Sequence, residues 1–225
     1  MKSNFFLRLI ICCLLSFAVL PARATELTEA SARRWAETKG GLLLETFNIQ
    51  DLSRKYAELD RLLLENVDLD YIGSFVVGRY QKDMTPEQAA RYKEIFRRFA
   101  LASYKRFPLN FENKINFSIV NSTVNGDQAR VTALIDLGDF MKDEQGNPQK
   151  ILVEFRLRQT DGALKLIDLK VAESSLILAY RNVFYQMIAK NDGDMEWFLE
   201  DLEDQTSSTE IDNQRRLNAA GQDKY

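Results

Sequence analysis

The chain has 225 residues, with 30 basic and 33 acidic side chains, and it contains no histidine. The missing histidine excludes the commonest general base, the usual nucleophilic triads and most zinc sites. A slight acidic excess argues against a nucleic-acid-binding protein, because such domains are normally basic. No motif for a catalytic residue, a metal ion or a cofactor is found, so we expect none of these.

The N-terminus has the pattern of a secretory signal peptide. Lys2 and Arg8 precede an apolar run at 9–20, and an A-x-A cleavage site follows at 22–24. We expect cleavage after Ala24, since the run is shorter than the roughly 20 residues of a membrane anchor, which is the alternative. Cleavage removes three of the 30 basic residues and both cysteines, which leaves 27 basic against 33 acidic residues and a net charge of −6. The sequence therefore predicts a soluble periplasmic protein without thiols.

Three helices are predicted after the signal peptide. Apolar residues recur at helical spacing over 26–47, where Gly40 and Gly41 mark a kink or a helix boundary. Asp51 suits the N-cap of a second helix, and a third is predicted over 68–81.

A fourth helix begins at a predicted capping box, with Thr85 as N-cap, Pro86 at N1 and Gln88 at N3. One face of this helix is mostly aromatic and carries Tyr92, Ile95, Phe96 and Phe99. Its end is basic, with Arg97, Arg98, Lys105 and Arg106. We interpret these charges as a solvated face near the helix C-terminus, or alternatively as a docking patch for an acidic partner or lipid head groups.

After Pro108 the apolar period changes from helical spacing to strict alternation, which predicts strands. Asn125-Gly126 and Asp161-Gly162 are typical of tight hairpin turns between such strands. The sequence therefore predicts an antiparallel meander with one apolar face.

Helical periodicity returns at Ser174, and a short acidic helix is predicted over 194–204 with Trp197, Phe198 and Leu202 as its buried edge. The predicted organisation is a signal peptide at 1–24, a domain at 25–204 and a disordered polar tail at 205–225. The order of helices, meander and helices predicts an α+β fold, with helices packed on the apolar face of a twisted sheet.

Two groups of residues resemble signature regions of the MlaC, or toluene-tolerance, family of periplasmic phospholipid-binding proteins. The first group comprises Val77-Gly78-Arg79-Tyr80, Thr85-Pro86-Glu87-Gln88, Phe96 and Tyr104. The second comprises Asp168-Leu169-Lys170-Val171, Ser175-Leu176, Tyr180-Arg181 and Phe184. The chain departs from the family pattern at Glu173, where glycine is common, and at Leu164, where tryptophan is common.

The resemblance implies an NTF2-like or cystatin-like cone that encloses an apolar cavity for acyl chains. It implies a non-enzymatic, monomeric carrier of phospholipid, or of a hopanoid-type lipid in a paralogous branch. Its partners would be an inner-membrane ABC transporter with an MCE subunit and an outer-membrane lipoprotein complex.

We predict a lipid pocket from the inward-facing apolar positions, with arginines at its polar rim to meet the head group. The predicted wall residues are Tyr80, Phe96, Phe99, Val153, Phe155, Tyr180 and Phe184, and the predicted rim residues are Arg79 and Arg181. Periodicity does not distinguish a cavity wall from a filled core. Two alternatives therefore stay open: a small-molecule enzyme that uses a tyrosine and a carboxylate, and a periplasmic interaction module whose apolar stripes form an ordinary core.

Overall fold

The structure is a computed structural model, and it describes residues 26–106, 116–137, 142, 145–146 and 149–222. The predicted signal peptide lies outside these residues, so its cleavage stays a prediction. Within the described ranges, no helix combines the length and the apolar character that crossing a membrane requires.

The first helix, α1 (Glu29–Phe47), begins at a capping box formed by Thr28 and Ser31. It continues through Gly40-Gly41, so the predicted helix boundary at this pair was wrong. The alternative, a kink at this pair, stays a prediction. A Cβ atom on Gly40 would lie only 3.0 Å from the ring of Phe117 in the sheet. Gly40 is therefore explained by the close packing of α1 on the sheet.

Three further helices precede the sheet: α2 (Leu52–Asn66), α3 (Leu69–Val77) and α4 (Pro86–Ser103). The predicted cap at Asp51 and the predicted capping box of Thr85 and Gln88 are confirmed. The helix predicted over 68–81 ends earlier, because Gly78 has φ +52° and a 3-10 helix, Gly78–Asp83, follows it.

Five antiparallel strands form one sheet in chain order: β1 (Asn116–Asn125), β2 (Gln128–Asp136), β3 (Lys150–Thr160), β4 (Ala163–Val171) and the short β5 (Ser174–Ser175). The two predicted hairpin turns are confirmed, and Gly126 and Gly162 adopt positive φ there. The α+β prediction with an antiparallel meander therefore agrees with the observed fold.

The apolar residues divide into two cores. The sheet core lies between α1 and one face of the sheet, and its buried members are Ala32, Ala36, Ala129, Val131 and Leu157. The helical core is formed by α3, α4, α5 (Leu176–Lys190) and α6 (Met195–Gln222). Among the described residues of this second group, α3 and α5 contact the sheet closely, both through β4 and α5 also through β5. The helical core thus lies beside the β4 edge.

The final helix corrects the predicted C-terminus. The predicted short helix at 194–204 and the predicted disorder over 205–222 were wrong, because α6 is one helix that continues to Gln222. The last three residues of the predicted tail at 205–225 lie outside the described residues. Thr206 and Asn213 are buried in this continuation, and Asn213 Nδ2 donates to the carbonyl of Ala102 at 2.9 Å. Trp197, predicted on the buried edge, is 63% exposed. Polar contacts, which an apolar periodicity does not reveal, hold the second half of α6.

A row of ion pairs joins α4 to α6. Arg91 binds Glu196 and Glu203, and Arg98 binds Glu203 and Glu210. The partners advance together along both helices, so the helices run in the same direction. The acidic groups that bind Arg98 therefore belong to α6 of the same chain. This part of the basic end of α4 is explained without an external docking partner.

Glu203 makes this row sensitive to acid. The hydrogen bond from Arg91 is the main reason that the pKa of Glu203 is lowered from its ordinary value of 4.5. A carboxylate with a lowered folded pKa stabilises the fold above its unfolded pKa, and this stabilisation is lost as the pH falls through the folded value. We expect urea midpoints to fall below pH 4.5 more in the wild type than in Glu203→Gln. Equal acid sensitivity in both proteins would contradict this role.

Candidate functional site

Tilted and edge-on aromatic rings fill the centre of the helical core. This aromatic cluster comprises Tyr92, Phe96, Phe99, Tyr180, Phe184 and Phe198. Phe99 lies at its edge, with its ring centroid 5.4 Å from those of Tyr180 and Phe184. Helical spacing on α4 and α5 presents these rings to one another, because residues three and four apart share a helix face. The cluster therefore combines the predicted stripes of both helices.

The structure brings five of the seven predicted wall residues together. Phe96 and Phe184 are buried inside the helical core, whereas Tyr80, Phe99 and Tyr180 are partly buried at its margin. Phe155 instead packs against the sheet core, and Val153 is buried on β3 opposite Ala133. The two sheet residues and the five helical residues therefore belong to different parts of the fold. Whether any of them contacts lipid stays a prediction.

An open groove of about 400 Å³ lies beside the aromatic cluster, between α3 and α4. Gly73, Tyr92 and Phe96 contribute to its lining, and the Tyr92 hydroxyl donates to the Gly73 carbonyl at 2.7 Å. Burial raises the pKa of Tyr92 well above its ordinary value, so this phenol stays protonated and keeps the hydrogen bond. Of the predicted wall residues, only Phe96 lines the groove. In this conformation the predicted wall residues of the helical core pack on one another.

The two predicted rim arginines meet at a tyrosine that the sequence analysis missed. Tyr185 Oη accepts from the Arg79 backbone N–H at 3.3 Å and from Arg181 Nη2 at 2.9 Å. The Tyr80 ring packs edge-on against the Tyr185 ring at 5.0 Å, and Tyr80 Oη accepts from Arg79 Nη2 at 3.0 Å. We call Arg79, Tyr80, Arg181 and Tyr185 the donor cluster. The spacing of Tyr185 four residues after Arg181 was the available sequence signal.

Electrostatics in the donor cluster favour negative charge. Partial burial acts to raise the pKa of Tyr185, but the hydrogen bonds from Arg79 and Arg181 outweigh burial and lower that pKa below its ordinary value. Both guanidinium groups also lie over aromatic rings, Arg79 over Tyr80 at 4.9 Å and Arg181 over Phe75 at 4.9 Å. Both groups also lie over the Tyr185 ring, Arg79 at 5.6 Å and Arg181 at 5.1 Å from its centroid.

Gly78 makes the donor cluster sterically possible. A Cβ atom at this position would lie 2.5 Å from Tyr185 Oη and 3.0 Å from Arg181 Nη2, and φ is +52°. We expect Gly78→Ala to displace Tyr185 and to lower the free energy of unfolding by more than about 1 kcal/mol, because the backbone at φ +52° and ψ −123° is strained for alanine and the clash adds to that strain. Gly126→Ala is the matched control, because Gly126 has φ +61° and no neighbouring atom within 4 Å. Equal losses in urea denaturation would show that the clash is relieved without cost.

The second signature region positions α5. Asp168 is buried on β4, and its carboxylate accepts from Ser175 Oγ at 2.7 Å and from the Ile177 N–H at 3.2 Å. Arg156 on β3 lies 3.5 Å from the same carboxylate. The aspartate therefore fixes the N-terminus of α5 to the sheet, and this attachment places Tyr180, Arg181 and Phe184 against α4.

A tyrosine–carboxylate pair, as the enzyme alternative requires, is present at Tyr104 and Asp60. Tyr104 Oη donates to Asp60, and Lys105 Nζ binds the other carboxylate oxygen at 2.8 Å. Burial, followed by the bond to Asp60, raises the pKa of Tyr104. The pair joins the end of α4 to α2 and does not line the groove. Its geometry indicates a structural contact.

The fold and the site define an α+β protein in which a helical aromatic cluster, edged by a cluster of hydrogen-bond donors, lies beside an antiparallel meander. The chain belongs to the MlaC family, since the family model described as MlaC protein matches residues 44–204. This result confirms the family resemblance seen in the signature residues.

A solved structure has a similar fold. It is the phospholipid-binding protein from Ralstonia solanacearum in complex with a phospholipid, with a TM-score of 0.63 and 17% identity over 79% of this chain and 98% of that chain. An iota-carbonic anhydrase from a cyanobacterium, complexed with bicarbonate, has a TM-score of 0.39 and 14% identity over 66% of this chain and 93% of its own. This TM-score is too low to indicate a shared fold. No match was found among curated proteins.

Proposed function

We propose that this protein is a non-enzymatic carrier that binds a two-chain lipid in its helical core. The observation that carries the proposal is the fold, because this MlaC-family chain shares its architecture with a protein solved together with a phospholipid. The aromatic cluster supports it, since its edge at Phe99 and Tyr180 is only partly buried, and Arg181 of the donor cluster follows Tyr180 on α5. An amphipathic ligand would meet both surfaces at once.

The energetics require an apolar site. A two-chain lipid exposes about thirty methylenes, worth about 0.8 kcal/mol each, so free transfer through water costs about 24 kcal/mol. A carrier has to replace most of this contact with protein surface. The acyl chains would therefore lie against the predicted wall residues, and the polar head group would remain at the rim formed by Arg79 and Arg181.

We expect the site to open on loading, because the groove is smaller than a two-chain lipid. A cavity of about 150 Å³ holds a benzene molecule, so the groove of about 400 Å³ has room for roughly sixteen carbons, or one acyl chain. A second chain needs additional space. We expect the half-buried rings of Phe99 and Tyr180 to separate when lipid binds, because they lie at the margin of the cluster.

We further propose a periplasmic location after removal of the signal peptide. There the protein would shuttle lipid between an inner-membrane ABC transporter with an MCE subunit and an outer-membrane lipoprotein complex. The predicted signal peptide and the family membership support this role. The cargo would be a phospholipid or a hopanoid-type lipid.

Mass spectrometry of lipid extracted from the purified native protein tests the proposal, and we expect a two-chain or polycyclic lipid.

Phe99→Ala and Phe99→Trp should change the amount of bound lipid more than they change the unfolding midpoint, because Phe99 is partly buried at the edge of the cluster. Protein that neither retains lipid nor takes it up after delipidation would refute the proposal. Turnover of a small molecule that a Tyr104→Phe substitution abolishes would support the enzyme alternative.

A further inference from the structure

We propose that the Phe96 side chain is a gate between the groove and the interior of the helical core, and that Gly73 is the seat on which its ring closes. When the ring is displaced, the groove continues into the aromatic cluster and gains the space that a second acyl chain needs. This inference rests on the proposed lipid-carrier function and assigns the opening of the site to one side chain.

Phe96 lies at the boundary between the groove and the rings behind it. Its side chain lines the groove, and its ring also contacts those of Phe99 and Phe184 at centroid distances of 6.3 and 6.1 Å. Neither Phe99 nor Phe184 is among the described residues that line the groove. Phe96 therefore forms part of the wall that separates the groove from the centre of the aromatic cluster.

Tyr92 is the other ring of the aromatic cluster that lines the groove, and a hydrogen bond fixes it. Its hydroxyl donates to the buried Gly73 carbonyl at 2.7 Å, so displacing this ring would leave a buried acceptor without its donor. The Phe96 side chain has no polar atom, and packing alone holds it. Of the two rings in this wall, Phe96 is therefore the one that moves at the lower cost.

Gly73 on α3 lies directly against the Phe96 ring. A Cβ atom at this position would lie 3.0 Å from Cδ1 and 3.3 Å from Cε1 of the ring, which is closer than an ordinary van der Waals contact. Gly73 is buried inside α3, where alanine has the higher helix propensity. The ring thus occupies the place of the missing side chain, and the closed position of Phe96 depends on glycine at this site.

Closed and displaced positions of the ring form a two-state equilibrium. If the displaced position alone admits the second chain, uptake is slowed in proportion to the fraction of molecules that are closed. A methyl group on residue 73 would push the ring off its seat and reduce that fraction. Truncation of Phe96 would remove the gate altogether. Both changes should therefore speed the uptake of a two-chain lipid.

Stopped-flow extraction of pyrenedecanoyl phosphatidylglycerol from vesicles tests the gate, because the loss of pyrene excimer fluorescence reports uptake by the delipidated full chain. Phe96→Ala should raise the extraction rate by about tenfold. Phe198→Ala is the matched control, since Phe198 is a fully buried ring of the same cluster and is not among the described residues that line the groove. It should lower the unfolding midpoint to a similar extent and extract lipid at the wild-type rate.

A double-mutant cycle tests the seat separately. Gly73→Ala should raise the extraction rate by about threefold or more in the wild type, and it should have no effect on the rate when Phe96→Ala has removed the ring. Gly41→Ala is the control for helix propensity, because Gly41 lies inside α1 with no neighbouring atom within 4 Å, and its rate should equal that of the wild type. If Phe96→Ala does not fold, the comparison of Gly73→Ala with Gly41→Ala decides the question.

Equal rates for Phe96→Ala and Phe198→Ala would overturn the gate while leaving the carrier function intact. The same conclusion would follow if Gly73→Ala and Gly41→Ala extracted lipid equally fast, or if the effect of Gly73→Ala persisted without the Phe96 ring. Wild-type protein that extracts no pyrene lipid would overturn the carrier function as well.

Discussion

Replacing Phe184 by alanine should lower the free energy of unfolding by about 3–5 kcal/mol, which is the range for truncating a large buried aromatic side chain. Phe184 is fully buried, and its ring contacts Phe96, Phe99 and Phe198 at centroid distances of 5.4–6.1 Å. Removing it leaves a cavity where α4, α5 and α6 meet, because the surrounding rings cannot fill the space without leaving their own contacts. Urea denaturation followed by circular dichroism measures the loss.

Val183→Ala is the matched control for this change. Val183 precedes Phe184 on the same helix and is 45% exposed, so its truncation should cost well under about 1 kcal/mol. Similar losses in the two variants would mean that the aromatic cluster is loosely packed in solution. A small loss at Phe184 combined with lipid-dependent recovery of stability would instead indicate that bound lipid fills the space.

Proline at Ser208 should destabilise the protein by about 3 kcal/mol, because Ser208 lies inside α6, where proline removes a helical hydrogen bond and clashes with the preceding turn. Its side chain is exposed, so no tertiary contact of the serine is lost. If the end of α6 detaches instead of the whole domain unfolding, hydrogen exchange should increase from residue 208 onward, including the buried Asn213.

Ser208→Ala separates the backbone effect from the loss of the hydroxyl group. Alanine has a higher helix propensity than serine, so this variant should be as stable as the wild type or slightly more stable. If residues around Ser208 were disordered, as the composition predicted, the proline and alanine variants would have the same stability. Indistinguishable midpoints for the two variants would support that prediction over the helix.

The elements of the fold were predictable wherever a local signal specified them. Asp51, Thr85 and Gln88 cap helices as their sequence context indicates, and Gly126 and Gly162 form the expected hairpin turns. These signals act over three or four residues, so they need no knowledge of distant contacts. The α+β class follows from their order.

The second half of α6 was not predictable in the same way. Its composition is polar, and the groups that contact it are Arg98 on α4 and the backbone carbonyls of Ala102 and Lys105, more than a hundred residues away in sequence. One signal was available, because Glu196, Glu203 and Glu210 recur every seven residues, as do Arg91 and Arg98. Matching charge repeats on two helices predict a pair only if both segments are already known to be helical.

The candidate site was predictable in its residue types but not in its grouping. Alternation placed Val153 and Phe155 on the inward face of a strand, and helical spacing placed Phe96 and Phe184 on the inward faces of helices. Both patterns are satisfied in the structure, but by two separate cores instead of one shared pocket. Tyr185 was missed for a related reason. It adjoins the stripe of α5 without belonging to it, and its role depends on Gly78 in a distant turn.

The adjacency of Phe184 and Tyr185 on α5 couples the aromatic cluster to the donor cluster. Phe184 belongs to the aromatic cluster and Tyr185 to the donor cluster, and a helix joins consecutive residues rigidly. A displacement of α5 relative to α4 and to the turn after α3 would therefore move Phe184 and Tyr185 together. In the proposed carrier, such a movement would loosen the aromatic cluster and lengthen the hydrogen bond from the Arg79 backbone to the Tyr185 hydroxyl at the same time.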